Sequence, residues 1–297
     1  MKVKLCFAFL VFATLAFSLI ASPQAAFDWK PVDTAMGRQG ADQPDGTHRF
    51  AMPRSDLKVT VAGIELKAGF ALGSWAAFQN MSGHSAVMGD LVLTDSEVTP
   101  VMQKLVDSGI EITAVHNHLL NETPHVTYMH IHGEGDAVKL ATGIRDALAL
   151  SKTPPAAPAA ASAGADLGFD TKQMDSAIGY AGKNNNGVYQ YSIPRAEKIT
   201  EGGMTVPNSM GVATAINFQP TGNGKAAITG DFVLTAKEVN PVIKAFRQNG
   251  IAVTALHSHM LDEQPRLLFM HYWANDDALK LAKGLRAALD QTSSKPK

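Results

Sequence analysis

The chain has 297 residues, 45% apolar and 18% charged, which excludes a largely disordered polymer and leaves room for about two domains of ordinary size. Its 26 basic and 27 acidic side chains give a formal net charge of -1, so no long-range field favours nucleic acid or anionic lipid as a partner. The only cysteine is Cys6, which excludes an internal disulfide framework and Cys-type zinc sites.

Lys2 and Lys4 precede an apolar run over residues 5–21 and the small-residue stretch "ASPQAA". Residues 1–26 therefore read as an export signal cleaved near Ala25 or Ala26, with a periplasmic or secreted destination and no membrane partner afterwards. Pro23 and Gln24 make that cleavage site imperfect, which leaves retention as a membrane anchor open. Cys6 lies too early to accept a lipid and would leave with the signal.

The rest of the chain contains itself twice. "GDLVLTDSEVTPVMQKLVDSGIEITAVHNH", from Gly89, overlies "GDFVLTAKEVNPVIKAFRQNGIAVTALHSH", from Gly230, without a gap at an offset of 141, and the match runs on through "IRDAL" and "LRAAL". The same offset pairs "MPR" with "IPR". Two units at so long a period indicate tandem domains, over 27–152 and 169–297, rather than a solenoid. Between them, residues 153–168, "TPPAAPAAASAGADLG", read as an extended linker.

In the first copy the Gly-rich turn "QPDGTHR" leads to the strand-like runs "LKVTVAGIELKAG" and "FALGSWAAFQ", and then to the short strand "DLVLT". "DSEVTPVMQKLVDSG" has helical spacing at Val98, Val101, Met102 and Leu105, with Thr94 or Asp95 as its cap and Gly109 as its stop. "IEITAVHNHLL" and "HVTYMHIH" are two strands joined by a turn containing Pro124, and "GDAVKLATGIRDALAL" closes as an amphipathic helix. The expected class is α+β: two tandem homologous domains, each a largely antiparallel sheet with helices on one face, a ferredoxin-like βαββα core plus N-terminal strands. Both faces of the last hairpin are apolar outside its histidines, so both should be covered, and the two copies can cover one another.

Residues 112–132, "ITAVHNHLLNETPHVTYMHIH", hold five of the ten histidines. Strand alternation puts His116 and His118 on one face and His130 and His132 together on the next strand. A turn centred near Pro124 would set His118 against His130 and His116 against His132, with Cβ atoms roughly 4.5–5.5 Å apart. Imidazoles so placed can share an ion. The second copy repeats the pattern at His257, His259 and His271, with Trp273 in the place of His132. The expectation is one divalent transition ion per copy, zinc by default: one held by His116, His118 and His130, the other by His257, His259 and His271.

Glu122 and Glu263 recur in the turn as ligands or as catalytic bases acting on bound water. Arg54 and Arg195 are candidates to bind an anionic small-molecule substrate, or to pair with a local carboxylate. Asp90 and Asp231, each in "GD", read as the end of a turn and the start of a strand, with contact to the histidine site as the alternative. Met129, Met260 and Met270 each neighbour a strand histidine, so they should face the opposite way and pack.

"TALHSHMLDEQPRLLFMHYWA" and "TAVHNHLLNETPHVTYMHIHG" resemble the signature of the LppY/LpqO family, named for exported lipoproteins, through the spaced H-x-H, the E-x-P turn and the M-H strand. The resemblance implies export and duplication and no particular activity. The chain lacks the family's lipid-bearing cysteine, so the resemblance does not extend to lipid anchoring. Three functions stay open on the residues: a metal-binding protein that includes metal-dependent hydrolases, a metal-free His-based phosphoesterase, and a non-catalytic binding module.

Overall fold

A computed structural model describes residues 27–81, 83–155 and 166–294. Residues 1–26, expected to be an export signal, and the centre of the linker lie outside the described residues. In the first half the order is α1 (Lys30–Met36), β1 (Ala41–Asp42), β2 (His48–Pro53), β3 (Thr60–Val61), β4 (Ile64–Glu65), α2 (Ala68–Ala71), β5 (Gly73–Met81), β6 (His84–Thr94), α3 (Asp95–Asp107), β7 (Glu111–His116), β8 (Val126–Gly135) and α4 (Ala137–Leu148). The second half runs α5 (Thr171–Ile178), β9 (Lys183–Asn185), β10 (Val188–Pro194), β11 (Thr200–Glu201), β12 (Met204–Thr205), β13 (Ala213–Gly222), β14 (Lys225–Leu234), α6 (Ala236–Gln248), β15 (Ala252–His257), β16 (Leu268–Asp277) and α7 (Ala278–Leu289). No described helix is long and apolar enough to cross a membrane.

Each half builds one six-stranded antiparallel sheet, ordered β1-β2-β5-β6-β8-β7 in the first and β9-β10-β13-β14-β16-β15 in the second. The crossover β6-α3-β7 leaves β8 between its two strands, the split arrangement of a ferredoxin-like core, while β5 fills the outer place beside β6. The α+β tandem-domain expectation therefore describes the architecture. The opening helices α1 and α5 carry no clear period in the sequence. They end on Gly37 (φ +67°) and Gly179 (φ +83°), the left-handed positions of the repeated "AMG" and "AIG".

Alternation along β6 and β8 separates two cores. Val87, Leu91, Leu93, Met129 and Ile131 pack against α1, α3 and α4. Ala86, Met88, Val92 and Tyr128 point to the other face and meet residues of the second half. The sheets thus stack on the faces turned away from their helices, with helices outermost on both sides.

The stretch expected as long strands before β5 is instead an arm. Its small β3-β4 hairpin and α2 leave their own sheet and cross to the other: Gln219 accepts from the Lys67 amide at 2.8 Å and donates to the Glu65 carbonyl at 2.8 Å, and Asn217 donates to the Phe70 carbonyl. The reciprocal arm brings Ser209 to Asp45, whose carboxylate accepts from the Ser209 amide at 2.9 Å. Gln219 and Asn217 on β13, and Asp45 in the turn between β1 and β2, bind these arm backbones.

Thr94 and Thr235 cap α3 and α6 in capping boxes with Glu97 and Glu238. Arg54 is fully buried and spends its donors on Asp56, Glu97 and the Val92 carbonyl. Arg195 does the same with Glu197, Glu238 and the Val233 carbonyl. Neither has a donor left for an anion, so the substrate-binding expectation for Arg54 and Arg195 gives way to the alternative of local ion pairs. Burial pushes the Glu97 carboxyl up, but bonds from Arg54 and from the Thr94 and Lys152 amides outweigh it and hold the group below its usual range. Glu238→Ala would leave the buried Arg195 guanidinium with Glu197 as its one carboxylate partner and is expected to lower unfolding stability in urea by up to about 3–5 kcal/mol.

Candidate metal centre

The histidines gather where the two sheets face each other. A bulge between Ile112 and Ala114 shifts the β7-β8 pairing, so that His130 lies opposite Ala114 and His116 opposite Tyr128. This corrects the expected pairing of His116 with His132 and of His118 with His130. The second half has the same bulge between Val253 and Ala255, which sets Ala255 opposite His271. The bulged residues are used: Thr113 donates to the His259 carbonyl at 2.6 Å, and Thr254 donates to the His118 carbonyl at 2.5 Å. β7 and β15 end at His116 and His257, so His118 and His259 stand on turns that these threonines pin across the interface.

The rings of the two halves interleave. Centroids lie 3.5 Å apart for His116 and His257, 3.8 Å for His118 and His271, and 3.7 Å for His130 and His259. Ligand atoms fall within 4.8 Å of one another in three sets: His116, His118 and His271; His116, His130 and His257; Asp231, His257 and His259. Two of the three draw on both halves. The rings expected to form one set in each copy stand together in one space across the interface, because the stacked sheets turn both sets of rings towards each other, while Asp231, His257 and His259 form a set within one half.

The hydrogen bonds fix which nitrogen faces inward. Nδ1 of His116 and of His257 each meets the carbonyl of the following residue at 3.1 Å, and Nδ1 of His271 meets the Gly230 carbonyl at 2.7 Å. A carbonyl only accepts, so these nitrogens donate, and in a neutral ring Nε2 then presents a lone pair. The Nε2 atoms of His257 and His271 nevertheless sit 2.8 Å apart. Two lone pairs at that distance repel unless a cation or an extra proton lies between them.

Burial disfavours the extra proton. It pulls the imidazolium pKa of His116 down to about 3 and of His271 to about 4, and those of His118, His130 and His259 well below the usual value, with the neighbouring rings adding to the effect. His257 is lowered by burial as well. Among the described residues, Nε2 of His116, His118, His130 and His259 has no hydrogen-bond partner. Neutral imidazoles with buried, converging lone pairs are the donor set that a transition metal requires.

Two aspartates complete the cluster, and both stand in the middle of strands, not at the ends of turns. Asp90 lies opposite His130 and Asp231 opposite His271. Asp231 Oδ2 is 3.0 Å from His259 Nε2 and Asp90 Oδ2 is 3.7 Å from His118 Nε2, while Oδ1 of each aspartate is buried without a partner among the described residues. Burial, with Asp231 next in effect, pushes the Asp90 carboxyl up to about 8, and burial raises Asp231. A signal for them existed: an acid inside the otherwise apolar "VMGDLVL", repeated as "ITGDFVL". The preceding glycine has its own reason, since a Cβ on Gly230 would lie 2.0 Å from the Ala215 carbonyl oxygen and 2.7 Å from the Tyr272 hydroxyl. Gly230→Ala is expected to displace the carbonyl that orients His271 and to lower stability in urea by about 1–3 kcal/mol.

The other candidates lie elsewhere. Glu122 and Glu263 are buried in the turn, where Oε1 accepts from the Val126 and Leu267 amides respectively, and neither belongs to the three ligand sets. Burial raises the Glu122 carboxyl to about 7 against the Val126 amide and His125. His132 is in none of the three sets and lies beside Glu111 and Glu134. Met129 and Met270 pack on the helix side as expected, but Met260 lies in the inter-sheet core, since the chain has left the strand before it.

The arrangement defines a class: a duplicated α+β protein whose two sheets bury a shared cluster of histidines and aspartates. The family model described as Domain of Unknown Function (DUF1259) matches residues 30–150 and again 172–291, and the chain belongs to that family in two tandem copies. None of the curated proteins matches the chain. Among solved structures it is similar to the trimeric bacterial microcompartment shell protein PduB, with 12% identity over 86% of this chain and 96% of that one, at a TM-score of 0.20. EtuB from Clostridium kluyveri matches at 9% identity, the same coverage and a TM-score of 0.20. Superposition that poor carries no argument about fold or function.

Proposed function

We propose that this is an exported metal-binding protein whose two halves jointly hold transition ions, zinc first, between their sheets. The observation that carries the reading is the convergence of buried, unpartnered imidazole Nε2 atoms from both halves on one space. Imidazole with carboxylate suits zinc, and copper, iron and nickel after it, whereas calcium and magnesium prefer all-oxygen sets. The internal symmetry supplies two equivalent groups: His116, His118 and Asp90 with His271 from the other half, and His257, His259 and Asp231 with His130. This cluster therefore has the capacity for two ions. Export rests on the amino-terminal signal and on the resemblance to the LppY/LpqO proteins.

Metal-dependent hydrolysis is a second reading, favoured by the partial exposure of His116 and His257, through which an ion could take in water. A metal-free phosphoesterase fits poorly, because the lowered imidazolium pKa values leave no general acid among these rings at neutral pH. The test is elemental analysis of protein purified without a poly-His tag, beside the His257→Ala/His259→Ala variant. Stoichiometric metal in the first, lost from the second, is the expected result. Absence of metal from both, even after incubation with zinc, would falsify the reading.

A further inference from the structure

A second set of ligand-type side chains stands in the first half alone. His132 follows His130 by two positions in β8, so both rings lie on the inter-sheet side, and Glu134 follows by two more. β6 runs antiparallel beside β8, with Ala86 opposite Glu134, and brings His84 alongside. His132 Nε2 is 3.9 Å from Glu134 Oε1, and His84 Nε2 is 3.6 Å from Glu134 Oε2. These separations exceed a hydrogen bond of about 3.2 Å. Each pair falls within the span of two ligands on one ion, at roughly 2.0–2.2 Å per bond; the three donor atoms do not all lie within 4.8 Å of one another, so the exposed His84 and Glu134 side chains turn to meet one ion.

Two further observations point the same way. Nε2 of His132 is buried without a hydrogen-bond partner among the described residues, while its Nδ1 lies 3.6 Å from Glu111 Oε2. A carboxylate on that side of the ring favours by its charge the tautomer with the proton on Nδ1, which frees Nε2 for a metal. In the second half the four equivalent positions hold Lys225, Ala252, Trp273 and Asn275. All four groups are replaced together, one of them by a cation, although the sheets correspond strand for strand. Packing alone therefore does not require these residues.

We propose that His84, His132 and Glu134 form a separate site for a divalent transition ion, with Glu111 positioning the His132 ring. The side chains of His84 and Glu134 are each 42% exposed, against 12% for His132, so water completes the coordination and the ion exchanges freely. The site is the open counterpart of the buried cluster on the same sheet face, suited to taking metal from solution. It does not depend on the central cluster being occupied.

The test is a cobalt(II) titration of tag-free, chelator-stripped protein, followed by calorimetry and visible absorption. The variant His84→Lys/Glu134→Asn writes the second half's residues into the first and keeps the fold's own precedent. It is expected to bind one ion fewer than the wild type, whereas His116→Ala/His257→Ala keeps that ion with its affinity within about threefold. Equal ion counts in wild type and His84→Lys/Glu134→Asn overturn the proposal, even if the central cluster binds metal. Loss of every ion in the His116→Ala/His257→Ala variant also overturns it.

Discussion

Stripped of metal by a chelator, the protein is expected to lose stability steeply as pH falls from about 6.5 towards 4. An unfolded histidine takes up a proton near pH 6.5, whereas all six cluster rings have lowered pKa values in the fold, His271 to about 4 and His116 to about 3. A base with a depressed folded pKa leaves stability intact above its unfolded value and removes it as pH falls through the folded value. Asp90 and Asp231 act in the opposite sense: their raised values mean that the fold holds protons the unfolded chain has released, a contribution lost as pH rises, through about 8 for Asp90. The carboxyl protons thus offset part of the imidazole uptake near pH 5, and the rings outnumber the acids. Each net proton changes stability by about 1.4 kcal/mol per pH unit, so the slope is on the order of a few kcal/mol per unit. Urea midpoints of the stripped protein at pH 7.5 and pH 5 measure it. Equal midpoints would show that the rings do not lie buried and neutral together.

That cluster was half visible in the sequence. The offset of 141 residues exposes the duplication, and strand alternation places His116 and His130 on a face that must be covered. Alternation cannot place a bulge or the centre of a turn, though: the extra residue at Thr113 shifts the register by one, and the pairing of His116 with Tyr128 centres the turn near residue 122 rather than 124. Nor does a repeat reveal which surface of one copy meets the other. Once the sheets stack through their histidine faces, rings 141 positions apart become neighbours, and a ligand set read within one copy divides between two. Asp90 and Asp231 were hidden for a related reason: an acid after glycine reads as a turn unless the strand is known to continue through it. The arm at residues 57–72 reads as strands because its apolar residues do pack, but between the sheets and against both halves.

Interleaving makes a single substitution in the first half an experiment on the second. The His130 ring is stacked 3.7 Å from His259, and its nitrogen falls in the set with His116 and His257. His130→Ala should therefore weaken the ion held mainly by second-half ligands. Removing even an outer partner of a ligand commonly lowers affinity about 10–100-fold, so losing a direct ligand should cost at least about 100-fold. His116 belongs to two of the three sets, and His116→Ala should weaken both ions where His130→Ala weakens one. Chelator competition against the cobalt-loaded protein resolves the two ions, and the mirror variants His271→Ala and His257→Ala should reproduce the same order. If His130→Ala instead weakens the ion held mainly by first-half ligands, and His257→Ala leaves that ion unchanged, each half binds alone. The rings of the two halves would then be neighbours in space without being partners in coordination.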